Sequence, residues 1–158
     1  MNFNEKLIVF EKVKELLDGK LKVLVESAFL AKEASTNEES KAENKYDTRG
    51  LEASYLAAGQ AKRAQDLQEM IYKTSKTALR EFSSSEPISV SALVEVEVGG
   101  AIKKWFFILP SGGIELDHKG QTIQTITLDS PVGKSLHNAI LGDDFILNGK
   151  EYEILQVV

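Results

Sequence analysis

The chain has 158 residues, a net charge of −5 and no cysteine, and its apolar fraction of 42% is that of a globular protein. The acidic balance argues against a protein that coats nucleic acid and favours a basic protein partner, while the lack of cysteine excludes disulfides and cysteine zinc sites. Because the sequence shows no signal peptide and no apolar run of about 18 residues, we expect a cytoplasmic protein with no membrane partner.

The first predicted element is a long amphipathic helix over residues 4–34. Its apolar residues recur at spacings of three and four, which places them on one side of a helix: Leu7, Phe10, Val13, Leu17, Leu21, Leu24, Ala28 and Ala31. Gly19 is a weak point, since glycine inside a helix costs up to about 1 kcal/mol relative to alanine. The periodicity continues beyond this glycine, so we expect one arm.

An acid-rich polar stretch, residues 36–50, separates this helix from a second one over residues 48–82. Asp47 or Thr48 is a candidate N-cap, and an earlier start near Ser40 is equally compatible with the sequence. The predicted apolar side of the second helix carries Leu51, Tyr55, Ala58, Leu67, Ile71, Thr74 and Ala78. Two arms of similar length joined by a polar link predict an antiparallel helical hairpin with coiled-coil character.

The serine-rich stretch before Pro87 ends the helical pattern, because proline disfavours helix at the preceding residue. Alternating apolar and polar residues then predict strands over residues 88–98, 102–109, 114–116, 122–128, 144–147 and 151–157. A short helix is predicted from Pro131 through Leu141, with Gly142 as its C-cap. The sequence therefore predicts an antiparallel coiled-coil domain over residues 1–82 and an independently folding α+β domain over residues 86–158.

Three sequence blocks near the C-terminus carry a family resemblance. They are Asp129-Ser130-Pro131-Val132-Gly133-Lys134-Ser135-Leu136, Ala139-Ile140-Leu141-Gly142-Asp143-Asp144 and Gly149-Lys150-Glu151-Tyr152-Glu153-Ile154-Leu155. In order and spacing they resemble the C-terminal domain of the bacterial Gre transcript cleavage factors. The resemblance implies an α+β fold, in which an antiparallel helical hairpin is followed by a small FKBP-like antiparallel-sheet domain.

The resemblance also implies a function. Such a protein is a transcription elongation factor that binds RNA polymerase through its secondary channel and stimulates cleavage of backtracked RNA. It is not an enzyme alone, since the polymerase's own active site cuts the RNA, and it meets the nascent RNA 3′ end only indirectly. We expect a monomer with no tightly bound cofactor, the Mg²⁺ being supplied by the polymerase active site.

The residues between the two helices carry the implied site. Lys45-Tyr46-Asp47-Thr48 is similar to an Asp-Lys-Tyr-Glu-Thr motif of Gre-like relatives, with Asn44 in place of the aspartate and Asp47 in place of the glutamate. The resemblance makes Glu43 and Asp47 the catalytic carboxylates and the ligands of a Mg²⁺ shared with the polymerase. Further candidates are Glu38 and Glu39.

Three other interpretations are open. The acidic stretch is also typical of a solvated loop whose charges only keep it soluble. A binding-only regulator of the same polymerase channel, which inhibits or competes with cleavage factors, is favoured by Asn44. A coiled-coil adaptor without a polymerase partner is the third. Outside the acidic stretch, we expect His118 and His137 to be surface or structural residues.

Overall fold

The computed structural model describes residues 1–36 and 49–158. Two long helices come first, α1 over Phe3–Thr36 and α2 over Arg49–Ser75, and they form a helical hairpin. Next come β1 (Leu93–Val98), β2 (Ile102–Ile108), β3 (Glu115–His118), β4 (Gln121–Ile126), α3 (Pro131–Leu136), β5 (Asp144–Leu147) and β6 (Lys150–Val157). The predicted α+β class is confirmed. No helix among the described residues is long and apolar enough to cross a membrane.

Helix α1 is a single helix that continues through Gly19. It begins with a capping box, in which the Glu5 backbone N–H donates to Asn2 Oδ1 and the Asn2 N–H donates to a Glu5 carboxylate oxygen, both at 3.0 Å. Most of the predicted apolar side is covered, with Phe10, Val13, Leu17 and Ala31 buried. Leu7 differs from the prediction, since it is 40% exposed.

The covered side of α2 differs from the predicted one in its first half. Leu51 and Tyr55 are 55% and 70% exposed. The covered positions recur at spacings of three and four and are small or polar at first: Gly50, Ala53, Ala57, Gln60, Ala64, Leu67 and Ile71. In this half the more covered side carries small residues, while the larger Leu51 and Tyr55 lie on the exposed side. The predicted placement of Leu51, Tyr55 and Ala58 was therefore wrong.

The end of α2 also differs, because the helix stops at Ser75 and not at residue 82. The Ser75 and Thr77 hydroxyls donate to the carbonyls of Tyr72 and Lys73, at 2.8 and 3.2 Å. Such bonds offer the chain an alternative to continued helix. The non-helical segment that follows brings Phe82 into the sheet's hydrophobic core, where it is 7% exposed.

The six strands form one sheet in the order β3-β4-β2-β1-β6-β5. Four of the five neighbouring pairs are antiparallel, so the sheet is mostly antiparallel. The pair of β2 and β4 is parallel, which differs from the predicted antiparallel sheet. In the register, Glu153 of β6 lies opposite Glu97 of β1 on one side and opposite Asp144 of β5 on the other. Three carboxylates therefore share one face of neighbouring strands.

The remaining element bounds are close to the predictions, with two exceptions. Residues 88–92 are not strand, although Ile88 and Ala92 are fully buried. Helix α3 ends at Leu136, short of the predicted Leu141, so Gly142 is not its C-cap. The reason is one pair of backbone hydrogen bonds, in which Asn138 N–H donates to the Ile88 carbonyl and Ile88 N–H to the Ala139 carbonyl. Because of this pairing, the residues around Ile88 are not part of a strand, and the residues around Asn138 are not part of α3.

Two compact units divide the chain: Met1–Glu15 with Tyr72–Val158, and Leu16–Ile71. In the first unit, the start of α1 packs on the sheet, with the Phe10 and Phe107 ring centroids 6.1 Å apart. The other face of the sheet packs against α3 through a core that includes Val96, Phe106, Ile108, Ile126 and Leu136. Independent folding of residues 86–158 stays a prediction.

Candidate functional site

All four predicted site residues lie outside the described residues. Glu38, Glu39, Glu43 and Asp47 belong to the segment 37–48. The structure shows what adjoins this segment: α1 has 34 residues and α2 has 27, so they are about 50 and 40 Å long. An acidic segment therefore connects two long helices of one hairpin. Among the described residues, no group of three or more histidine or acidic side chains is placed to hold a metal ion.

Large apolar side chains are exposed on the hairpin unit, Leu16–Ile71. They have exposed fractions between 42% and 70% and comprise Leu16, Val23, Val25, Phe29, Leu30, Leu51, Tyr55 and Leu56. The described charges of this unit balance, since six lysine or arginine residues accompany six aspartate or glutamate residues in 16–36 and 49–71. These exposed apolar side chains make the hairpin unit a candidate surface for contact with another protein.

The first Gre-like block builds the start of α3. Ser130 is the N-cap: its Oγ accepts from the Gly133 N–H at 3.0 Å and donates to the Thr127 carbonyl at 2.7 Å. Pro131 occupies the first helical position, where its missing N–H costs nothing. A side chain at Gly133 would overlap the Thr127 carbonyl oxygen, so the backbone approach requires glycine. These residue types therefore have structural reasons for their positions.

The other two blocks build the loop after α3 and the C-terminal hairpin. Asp143 Oδ2 accepts from the Ile140 N–H at 2.9 Å and so fixes the loop before β5. The Phe145 and Tyr152 rings stack with centroids 4.9 Å apart, across the β5–β6 pair. The three blocks that carry the resemblance therefore build α3, the loop after it and the β5–β6 hairpin.

Lys6 is a residue of unusual placement that the sequence did not single out. It is fully buried, and its ammonium group donates to backbone oxygens of Arg80 and Val158, both at 2.6 Å. Its Nζ also lies 4.9 Å from the centre of the Phe82 ring. Burial and then repulsion by Arg80, opposed by the charge of Glu81, lower the pKa of Lys6 to about 7.

Lys6→Met should change how stability depends on pH. Below pH 7 the parent lysine is protonated in both folded and unfolded chains; as pH rises through about 7, only the unfolded chain keeps the proton. The free energy of unfolding of the parent should therefore rise by about 1 kcal/mol per pH unit from about 7 to 10, because the unfolded state binds more protons. Neutral lysine keeps both hydrogen bonds. Urea unfolding at pH 7, 8 and 9 should show this slope reduced in Lys6→Met.

A matched control for that experiment is Lys150→Met, since Lys150 is exposed. This variant should keep the slope of the parent protein. Equal slopes in the parent and in Lys6→Met would show that the buried ammonium group is not the source of the pH dependence.

The two histidines differ in their surroundings. His118 is 4% exposed, and neither ring nitrogen has a hydrogen-bond partner among the described residues. His137 is exposed and is the C-cap of α3, where its backbone N–H donates to the Gly133 carbonyl. The first is therefore buried in the sheet unit and the second lies at the surface.

Comparisons with known proteins find similar solved structures. GreA factor homolog 1 (Gfh1) of Thermus thermophilus aligns at 23% identity over 92% of this chain and 94% of that chain, with a TM-score of 0.38. Thermus aquaticus Gfh1 aligns at 17% identity over 98% and 94%, with a TM-score of 0.38. Another structure, of the transcription factor Gfh1, aligns at 22% identity over 91% and 92%, with a TM-score of 0.37. No family model and no curated protein sequence matches the chain. Values this low leave function to be argued from the chain's own residues.

Proposed function

We propose that this chain is a Gre-like transcription elongation factor that binds RNA polymerase and stimulates cleavage of backtracked RNA. The observation that carries the proposal is the acidic segment 37–48 between two long helices of one hairpin. A hairpin of this kind can deliver carboxylates into a narrow site on a partner. The sheet domain after it contains the three blocks that resemble the Gre family, each built into a defined structural element.

Glu43 and Asp47 are the residues that would act in this function. Their carboxylate oxygens are hard ligands of the kind that Mg²⁺ prefers, and because Mg²⁺ usually takes only one or two carboxylates from a protein, the partner would supply its other ligands. The metal, supplied by the polymerase, would activate water for attack on the RNA backbone. The chain's own contribution would be to position two carboxylates, so it would act as a cofactor of cleavage and not as a nuclease.

The hairpin surface supports a protein partner. Its exposed apolar residues, among them Phe29 and Tyr55, give the contact area that a helical arm needs inside a channel. Its balanced charge does not favour binding to nucleic acid. In an elongation complex the chain would therefore contact mainly polymerase surfaces, and it would reach the RNA only at its 3′ end.

A binding-only regulator of the same channel is the second candidate. Asn44 favours it, because an amide stands where Gre-like relatives carry an aspartate in the similar motif. An amide is neutral and coordinates Mg²⁺ more weakly than a carboxylate does. Such a protein would occupy the channel and block cleavage factors.

Two assays on the full chain test these functions. Gel filtration with bacterial core RNA polymerase should show co-elution, and no co-elution would favour the adaptor without a polymerase partner. Cleavage of RNA in stalled, backtracked complexes should then be faster in its presence. Co-elution without faster cleavage would instead support the binding-only regulator.

A further inference from the structure

The first half of β2 has a strand partner on only one side. Residues Ile102–Phe107 pair with β1, whereas β4 pairs only from Trp105 onwards. Residues 102–104 therefore form an open edge inside the sheet. In an antiparallel pair, successive residues direct their N–H and C=O groups alternately towards and away from the partner. At least one of these three residues thus presents free backbone donors and acceptors on the β4 side.

A groove of about 420 Å³ lies beside this open edge. Lys103 and Lys104 line it from β2, and Gln121 and Thr122 line it where β4 begins. Trp105, which is only 4% exposed, forms part of its wall. The groove therefore places an unpaired strand edge next to the side chain of Trp105, and an open edge with a side-chain groove beside it is the arrangement used when a peptide adds a strand to a sheet.

The charges at the open edge indicate the chemistry of an occupant. Lys103 and Lys104 are consecutive strand residues, so their ammonium groups project from opposite faces. Neither is among the ion pairs of the described residues. Glu95 and Glu115 also line the groove, but they are in register with Trp105 and Gln124, beyond the open stretch. A strand opposite residues 103 and 104 would meet lysines.

The partner that β2 already has shows a sequence that suits it. Strand β1 reads Leu-Val-Glu-Val-Glu-Val, with Glu97 directly opposite Lys103 and Val96 opposite Lys104. On its β1 side, β2 therefore pairs with a strand of alternating acidic and apolar residues. Lys103 thus already faces an acid, whereas Lys104 faces a valine and is available to an acidic residue of a second strand on the open side.

We propose that the open edge of β2 is a peptide-binding site that takes an extended segment of alternating apolar and acidic residues from a protein partner, by strand addition beside residues 102–104. The site does not depend on the polymerase function. Backbone hydrogen bonds supply the binding, and Lys104 selects the acidic side chains, which all project from one face of an alternating segment.

A peptide copy of residues 92–99, Ala-Leu-Val-Glu-Val-Glu-Val-Gly, is the probe. Titrated into the isotope-labelled full chain, it should cause saturable amide shifts at residues 102–104 and 120–122. The same peptide N-methylated at its central valine, which removes a backbone donor, should bind at least about tenfold more weakly. Shifts centred on β6 would indicate displacement of β1, and they would overturn the proposal, as would the absence of saturable shifts.

Two variants and one control complete the test. Lys104→Glu should weaken binding about tenfold, because a like charge then faces the acidic peptide. Gln121→Trp should weaken it by filling the groove while leaving both lysines in place. Lys150→Glu, an equal charge change at an exposed position of β6, should bind like the parent. Equal binding by all three variants would show that the peptide lies elsewhere.

Discussion

Stimulated RNA cleavage should fall by about 10²-fold or more when Glu43→Gln and Asp47→Asn are combined. Two carboxylates that help hold a catalytic metal supply several kcal/mol of transition-state stabilisation, and each 1.4 kcal/mol is about tenfold in rate. The change should leave the fold intact, because aspartate and glutamate are almost never fully buried unless paired, and substitutions away from buried contacts usually alter stability by no more than about 0.5 kcal/mol. Raised Mg²⁺ or pH should restore part of the activity. Product release from stalled complexes measures the effect.

A control variant with the same change of charge separates chemistry from general electrostatics. Glu38→Gln with Glu39→Gln also removes two negative charges from segment 37–48. It should retain most of the cleavage activity and bind polymerase as well as the parent. If both double variants lose activity equally, the segment acts through its total charge. If the Glu43 and Asp47 variant cleaves like the parent, the metal-positioning role is wrong.

Gly133→Ala should destabilise the sheet unit by about 3 kcal/mol or more. The added Cβ would overlap the Thr127 carbonyl oxygen and lie 2.9 Å from Ser130 Oγ, the atom that caps α3. The backbone is not free to move away, because that cap and the Thr127 bond fix the turn. Overpacking of this kind typically costs about 1–3 kcal/mol, and loss of an N-cap adds about 1 kcal/mol. Urea unfolding followed by tryptophan fluorescence reports the change through Trp105.

Helical glycines with open surroundings provide the contrast. A methyl group added at Gly19 or Gly59 would meet no heavy atom within 4 Å beyond the adjoining backbone of its own helix. Their replacement by alanine should stabilise the protein by about 0.5–1 kcal/mol each, since alanine has the higher helix propensity. A Gly133→Ala variant as stable as these two would show that the turn before α3 can relax.

The sequence predicted the elements best where one physical signal acted alone. Spacing of three and four residues gave α1 because Phe10, Val13 and Leu17 all cover the same side. The turn Asn148-Gly149 gave the β5–β6 hairpin, since both residues have the positive φ that such a turn requires. These signals are local, so no knowledge of the tertiary structure was needed.

Predictions failed where contacts distant in sequence overrode the local pattern. Ile88 pairs with residues 138–139, which ends α3 early, and no local feature of either segment announces this bond. Leu51 and Tyr55 look like core residues by composition, yet alanines take the inner side of α2. Lys6 was overlooked because lysine on a helix normally marks a solvated face. The parallel pairing of β2 with β4 depends on how the strands are connected, so no periodic pattern in the sequence predicts it.

The row formed by Glu97, Glu153 and Asp144 affects how firmly one end of the sheet is held. Like charges directly opposite one another destabilise strand pairing, and only Glu97 has a lysine, Lys103, on its other side. Asp144, the third of these carboxylates, belongs to the edge strand β5, which has only four residues. The repulsion therefore acts on a strand that few hydrogen bonds hold in place. Amide protons at this edge should therefore exchange with solvent sooner in dilute buffer than in 1 M salt, where the screening length falls to about 3 Å. A cationic surface docked over the row would hold the edge closed in the same way.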